Sequence, residues 1–259
     1  MADFRTPTTR YGTAAPAASV GEMDLGLRAY MLRVYNYMVV GLAITGVVSL
    51  LTYNLATTTD PAQAAGQVGS TLLTSLGVTL YGSPLQWVII FAPLVLVIFL
   101  SVRIARMSVA SAQIAFWAFA ALLGLSLSSI FLVYTSQSIA QVFFITAATF
   151  GAVSLWGYTT KRDLTGWGSF LFMGLIGVII ASIVNIFLGS DALGFAISII
   201  GVLVFTGLTA YDTQKIKEMY SANDDGTLMG RKAIMGALRL YLDFINLFLM
   251  LLRLFGNRE

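Results

Sequence analysis

Three residues near the C-terminus carry most of the chemistry this chain can offer. Asp243 and Arg239 lie four apart near the start of the apolar segment Leu238–Phe255, and Asp212 follows directly on the apolar segment before it. Hydrocarbon tolerates ionised side chains only when they are paired, face a wet cavity or sit at the interface, so such residues mark candidate functional sites. Two apolar segments joined by one connection run antiparallel, which places both carboxylates near the same side of a bilayer. Two carboxylates within hydrogen-bonding distance and partly shielded from water cannot both ionise cheaply, and a pair of this kind holds one proton between its members. It can therefore titrate near neutrality. Fully deprotonated, it concentrates negative charge and attracts cations. Calcium prefers such hard oxygen ligands but takes six to eight of them, so two carboxylates suit transient passage better than storage.

The rest of the chain narrows the options. Of its 259 residues, 58% are hydrophobic and 10% charged, with a mean hydropathy of +0.84; a soluble domain carries roughly 25% charged residues. There is no cysteine, which excludes disulfides and thiolate chemistry, and no histidine, which removes the usual general base, metal ligand and pH switch. Proton sensing near neutrality falls to carboxylates. The net charge of +3 shows no basic clustering of the kind that binds nucleic acid. No Walker motif, dinucleotide-binding glycine loop or H-E-x-x-H motif is present. An intramembrane aspartyl protease would also use two acids on neighbouring helices, but Leu242-Asp243-Phe244 lacks the Gly-x-Gly-Asp setting of that chemistry. No enzymatic activity is expected, and no resident cofactor.

Seven segments are long enough for the roughly 20 residues of a membrane-spanning helix: Val34–Tyr53, Leu85–Ser101, Ser111–Val133, Ile139–Tyr158, Trp167–Leu188, Ala192–Tyr211 and Leu238–Phe255. The expected organisation is a flexible tail over 1–33, a transmembrane domain over 34–255 and a short tail over 256–259. Basic residues alternate with the connections. They occur in the N-terminal segment (Arg5, Arg10, Arg28, Arg33), the second connection (Arg103, Arg106), the fourth (Lys161, Arg162) and the sixth (Lys215, Lys217, Arg231, Lys232), and are absent from the first, third and fifth. The positive-inside rule then puts the N-terminus in the cytoplasm and, after seven spans, the C-terminus outside. Thr57–Gln86 is read as an external loop with a surface helix, or as a short re-entrant dip.

On the last helix, Arg239, Asp243, Asn246, Met250 and Arg253 fall within about 80° of one another at 100° per residue. A polar face of this kind must look into the bundle or into water, so this helix is expected in a central position. The simpler readings are an Arg239–Asp243 ion pair within one helix, or Arg239 reaching to the interface as an anchor. For Asp212 the simpler reading is a carboxylate at a wet helix end, where the backbone dipole disfavours its negative charge. Arg103 ends the second span at the depth of the acid pair and serves either as a topology marker or as a latch on one carboxylate. Gly124, Ser126, Ser128 and Ser129, Gly151 and Ser154, and Gly174, Gly177 and Ser182 are read as close-packing positions. Asn185, deep in the fifth span, is expected to hydrogen-bond another helix.

The run Gly207-Leu208-Thr209-Ala210-Tyr211-Asp212-Thr213-Gln214-Lys215-Ile216-Lys217 resembles the signature of the Bax inhibitor-1 family, the transmembrane Bax-inhibitor-motif proteins. Arg103–Ser108, Gly124–Phe131, Gly151–Arg162 and Leu240–Leu247 resemble further family segments in the same order, so the resemblance spans roughly Leu27 to Phe255. It implies an all-α polytopic fold with six helices packed around a central C-terminal seventh. The implied activity is a pH-sensitive calcium leak controlled by a cytoplasm-facing di-aspartyl unit. The family's aspartates match Asp212 and Asp243, with Arg103 matching the arginine that latches the last-helix aspartate. Arg239, Asn246 and Arg253 are expected in supporting roles, with transient Ca2+ at the pair. The connection Ser221–Arg231 looks longer than in compact bacterial members. The composition and the Ala-rich N-terminus suggest a bacterial inner-membrane protein. Expected partners are the bilayer, calcium ions and protons, and the protein is expected to be a monomer without nucleic-acid partners. Proton-coupled cation exchange, or regulation of membrane proteases or other partners without transport, remain the alternatives.

Overall fold

The computed structural model describes residues 20–258, with side chains from Leu25 onward. Its helices are α1 (Val20–Ala56), α2 (Ser75–Gly82), α3 (Leu85–Arg103), α4 (Val109–Leu127), α5 (Ser136–Thr159), α6 (Thr165–Leu188), α7 (Asp191–Glu218) and α8 (Gly226–Phe255). Seven of them, all except α2, are long and apolar enough to cross a membrane. Polar side chains set the helix starts: Ser108, Thr135, Ser190 and Asp225 each accept a bond from a backbone N–H three residues on, at α4, α5, α7 and α8. At the other end of α6, Gly189 adopts φ +60, a left-handed conformation that costs glycine little.

Several expectations are corrected. Helix α1 begins at Val20, so the part of the 1–33 tail from that residue onward is helical; residues 1–19 lie outside the described residues. Helix α7 runs six residues beyond Asp212, to Glu218, so the aspartate is not at a helix end and the dipole argument for it lapses. Helix α8 begins at Gly226, twelve residues before the expected Leu238, which reduces the long sixth connection to Met219–Asp225. The missed signal was the Asp225-Gly226 start, obscured because Arg231 and Lys232 interrupt the apolar pattern.

The segment after α1 also holds more than a surface helix. Strands β1 (Thr57–Thr58), β2 (Gly66–Val68) and β3 (Thr71–Leu73) form a small antiparallel sheet in the order β1-β3-β2, with Thr57 and Gly66 both opposite Leu73. Helix α2 then packs back on the end of α1, where buried Gly77 lies against the Ala56 carbonyl.

Fifteen of the thirty residues of α8 are buried, against three of twenty-four in α6, so the last helix is the enclosed one. Its principal neighbours are α1, α4, α5 and α7; α6 packs against α7, and α3 against α4, in outer positions. Association in lipid depends on close packing and hydrogen bonds rather than on a hydrophobic drive. Accordingly, Gly124 lets α4 approach Thr45 of α1, and Gly157 lets α5 approach Ala210 of α7, backbone against backbone. The Tyr241 hydroxyl meets Thr45 Oγ1 at 2.6 Å, and Thr45 also donates to the Ala120 carbonyl at 2.9 Å, tying α8, α1 and α4 together. Gly151 and Gly177 depart from the packing expectation: a Cβ at either would meet open space.

Candidate functional site: a carboxyl pair between the last two helices

Helices α7 and α8 run antiparallel through one short connection, and their registers bring Asp212 and Asp243 together. The two carboxyl groups lie within hydrogen-bonding reach of one another. Two oxygens at that separation need a proton between them to attract rather than repel. Asp243 is 5% exposed, and its Oδ2 has no protein hydrogen-bond donor. Asp212 is the more open member, with 17% of its side chain exposed. Among the described residues no third acidic side chain joins them in a cluster able to hold a metal ion.

The cation beside the pair is Arg239, whose Nη1 lies 4.0 Å from Asp212 Oδ1. The guanidinium thus reaches across to α7, and no ion pair within one helix forms to Asp243 within 4.0 Å among the described residues. The Arg239 side chain is 46% exposed, so this long contact is worth no more than about 1 kcal/mol. It tempers the charge on the pair without locking it.

The remaining sequence-selected residues are distributed along the bundle. Arg103 is exposed at the end of α3 and makes no ion pair with either aspartate among the described residues. The link from α8 to the α3–α4 connection is made instead by Arg231, whose Nη1 donates to the Ala105 carbonyl. Asn246 donates to the Leu242 carbonyl at 2.8 Å, within its own helix. Arg253 stands at the far end of α8, where its guanidinium fills the space left by the missing side chain of Gly194, beside the Asn185 amide. Asn185 Oδ1 accepts from the Ser190 N–H at 3.1 Å, so it closes the α6–α7 turn rather than bridging distant helices.

A set of polar contacts that closes the α7–α8 connection was not foreseen. Lys232 Nζ donates to the Asp224 carboxylate at 2.5 Å and to the Met219 carbonyl at 2.8 Å, closing the α7–α8 connection. Next to it, the Tyr220 ring packs 5.7 Å from the ring of Tyr30, which is 1% exposed. Lys232 lies seven residues before Arg239, on the same stripe of α8, and an earlier start for that helix would have revealed it. On the α5 side, Tyr35 Oη, Ser154 Oγ and Thr213 Oγ1 form a chain of hydroxyls at 2.6 and 2.8 Å that ends one residue after Asp212.

Among the described residues, Arg28 and Arg33 of α1, Arg103 and Arg106, Lys161 and Arg162, and Lys215, Lys217, Arg231 and Lys232 gather toward the end of the bundle that carries the α5–α6 and α7–α8 connections. The opposite end carries the α4–α5 and α6–α7 turns, and the C-terminus is tied there by Thr135 N–H to the Asn257 carbonyl at 3.1 Å. Comparison with known proteins agrees with this architecture. The family profile described as "Inhibitor of apoptosis-promoting Bax1" matches residues 27–259. The inner membrane protein YbhL of Escherichia coli is 49% identical over 93% of this chain and 97% of its own length. Uncharacterised proteins of Rickettsia prowazekii and Caulobacter vibrioides are 49% and 46% identical, over 91% and 96% of this chain and 92% and 97% of their own lengths. The profile match along nearly the whole chain and relatives of this identity and coverage show that the chain belongs to the Bax inhibitor-1 family.

Proposed function

We propose that this protein is a pH-sensitive calcium leak channel of the bacterial inner membrane, gated by Asp212 and Asp243. Its basic end faces the cytoplasm and its C-terminus the periplasm, by the positive-inside rule and the location named for the Escherichia coli relative. The reading rests on one juxtaposition: two carboxyls in contact, one of them buried, between the enclosed helix and its neighbour.

The proton on the pair is the control element. With it in place, Asp212 and Asp243 share a hydrogen bond, and a single negative charge faces Arg239. Its loss sets two like charges about 4 Å apart, a repulsion of about 4 kcal/mol at an effective dielectric near 20. Arg239, half in solvent, offsets little of this, so the doubly charged pair draws a further cation. Arg103 is the candidate: swinging the end of α3 inward would satisfy the new charge and close the cytoplasmic mouth. Flux is therefore greater in acid and falls as the pair deprotonates. Calcium crosses the site as cargo, because two carboxylates are too few to hold it. The monomer suffices, since both carboxylates come from one chain.

Calcium entry into proteoliposomes, measured between about pH 5 and pH 8, the range in which such switches work, tests this reading. The expected result is flux down a calcium gradient with no proton gradient imposed, decreasing with pH. Strict dependence on an opposing proton gradient would identify an exchanger, and absence of flux at every pH would remove transport altogether.

A further inference from the structure

Between α1 and α5, two helices that do not pack extensively on each other, a lateral groove of about 470 Å³ opens on the side of the bundle. Its walls are apolar: Met31, Leu32 and Met38 from α1, Phe150 and Leu155 from α5. Leu32 and Leu155 are 53% and 63% exposed, so the groove opens to whatever surrounds the bundle, and in a membrane that is lipid. Tyr35 and Ser154 supply the polar atoms of the floor, and they bond to each other at 2.6 Å. An acyl chain lying over them strands no polar group. Gly151 leaves its part of the wall open, where a side chain would meet nothing within 4 Å.

One end of the groove is charged. Arg28 lines it at the basic end of the bundle. At the same rim, Lys217 Nζ sits 5.2 Å above the ring of Tyr158, a lining residue, and donates to its carbonyl at 2.9 Å. From Arg28 to Met38 the helix rises about 15 Å, half of the roughly 30 Å of hydrocarbon. The dimensions therefore match one leaflet, with cations at headgroup level and an apolar trough below.

We propose that the α1–α5 groove is a binding site for one anionic phospholipid, its acyl chain in the trough and its phosphate on Arg28. Arginine suits this role because its planar fork can donate two hydrogen bonds to a phosphate. The site is distinct from the carboxyl pair and does not depend on calcium passage. The hydroxyl chain Tyr35–Ser154–Thr213 nevertheless joins its floor to the residue after Asp212.

The test is native mass spectrometry of the purified full chain released from micelles containing phosphatidylglycerol or phosphatidylcholine with identical acyl chains. One retained phosphatidylglycerol is expected, favoured over phosphatidylcholine by about fivefold, the scale of one basic residue near an anionic surface. Arg28→Ala should remove the preference, and Arg106→Ala, an exposed arginine elsewhere on the basic end, should leave it intact. Gly151→Trp should abolish retention of both lipids by filling the trough, with Gly151→Leu as a smaller filler if the tryptophan variant does not purify as folded protein. Equal retention of the two lipids by the wild type would overturn the proposal. So would retention by a folded Gly151 variant, or equal losses from the Arg28 and Arg106 substitutions.

Discussion

The two ends of α8 solve the same problem in opposite ways. Each carries charge on a long, largely apolar helix. Toward the basic end, Asp243 is buried against Asp212, with Arg239 at 4.0 Å from Asp212, and Lys232 and Asp224 close the α7–α8 connection. At the other end, Arg253 is exposed, and its guanidinium rests in the space that Gly194 leaves open. The packing beneath follows suit. Gly157 holds α5 against α7 through the Ala210 backbone, two residues before Asp212, whereas Gly194 faces the tip of a flexible side chain. Near the carboxyl pair the close approach is to backbone, which has little room to shift; near Arg253 it is to the end of a side chain. A helix fixed at the level of the carboxyl pair keeps the two carboxyls in register, as the proposed proton-controlled site requires.

The sharpest way to break this comparison is to neutralise the pair. Asp243→Asn and Asp212→Asn should each flatten the calcium flux between about pH 5 and pH 8, leaving a high, nearly constant leak, because neither variant can acquire the double charge that draws Arg103. The double substitution should add little, since both residues belong to one network. Flux against pH on folded single and double variants decides the matter. A wild-type profile in both singles would mean that the carboxyls do not titrate as a unit.

The packing contrast is tested by Gly157→Leu against Gly194→Leu. The first drives a side chain into the Ala210 backbone, whose carbonyl oxygen lies 2.5 Å from the added Cβ, and should cost about 1–3 kcal/mol or more. The second displaces the flexible end of Arg253 from buried Gly194 and should cost less than the first. Thermal unfolding in detergent would show the order. Equal losses would mean that the end opposite the pair is as rigid as the basic end.

How far the sequence anticipated this contrast depends on the kind of contact. The nearness of Asp212 and Asp243 was legible because a single connection makes the two apolar segments antiparallel, which puts both acids near one side of a bilayer. The number of spans and the central place of α8 followed from length and from its polar stripe. The start of α8 was obscured because Arg231 and Lys232 read as loop residues, although both bond to backbone carbonyls. The β1–β3–β2 sheet was missed because strands of two or three residues carry no period. The role of Gly151 was misread because a glycine that admits a neighbouring helix and one that borders a groove are identical in sequence.

Arg103→Ala separates latch from topology marker. At the alkaline end of the range, where the pair carries two charges, the variant should leak several-fold more than wild type, the loss of one interaction of about 1–2 kcal/mol. At the acid end it should match wild type, because the shared proton already leaves Arg103 unengaged. Flux at the two pH extremes distinguishes these cases, and an unchanged leak at both would leave Arg103 as a marker of orientation alone.

The smallest expected effect lies on the surface of the basic end, at Asp163 in the α5–α6 connection. Its carboxylate accepts from the Thr165 N–H at 2.8 Å, and bonds to Thr165 with the nearby Lys215 charge hold its pKa below the usual aspartate value. A group whose folded pKa is depressed adds stability that is present above its unfolded pKa and is lost as pH falls through the folded value. Its contribution is therefore complete at neutral pH and disappears only in strong acid, well below the range in which the Asp212–Asp243 pair is proposed to act. Asp163→Asn should lower the unfolding temperature slightly at pH 7, and the difference should shrink as pH falls through the folded pKa and the wild-type carboxyl takes up its proton. The calcium flux profile should be unaltered, since the residue is fully exposed and outside the site. Unfolding temperatures of the two proteins across this acid range provide the measurement. A changed flux profile would show that the α5–α6 connection takes part in closing the mouth, and the pH response would then no longer belong to the carboxyl pair alone.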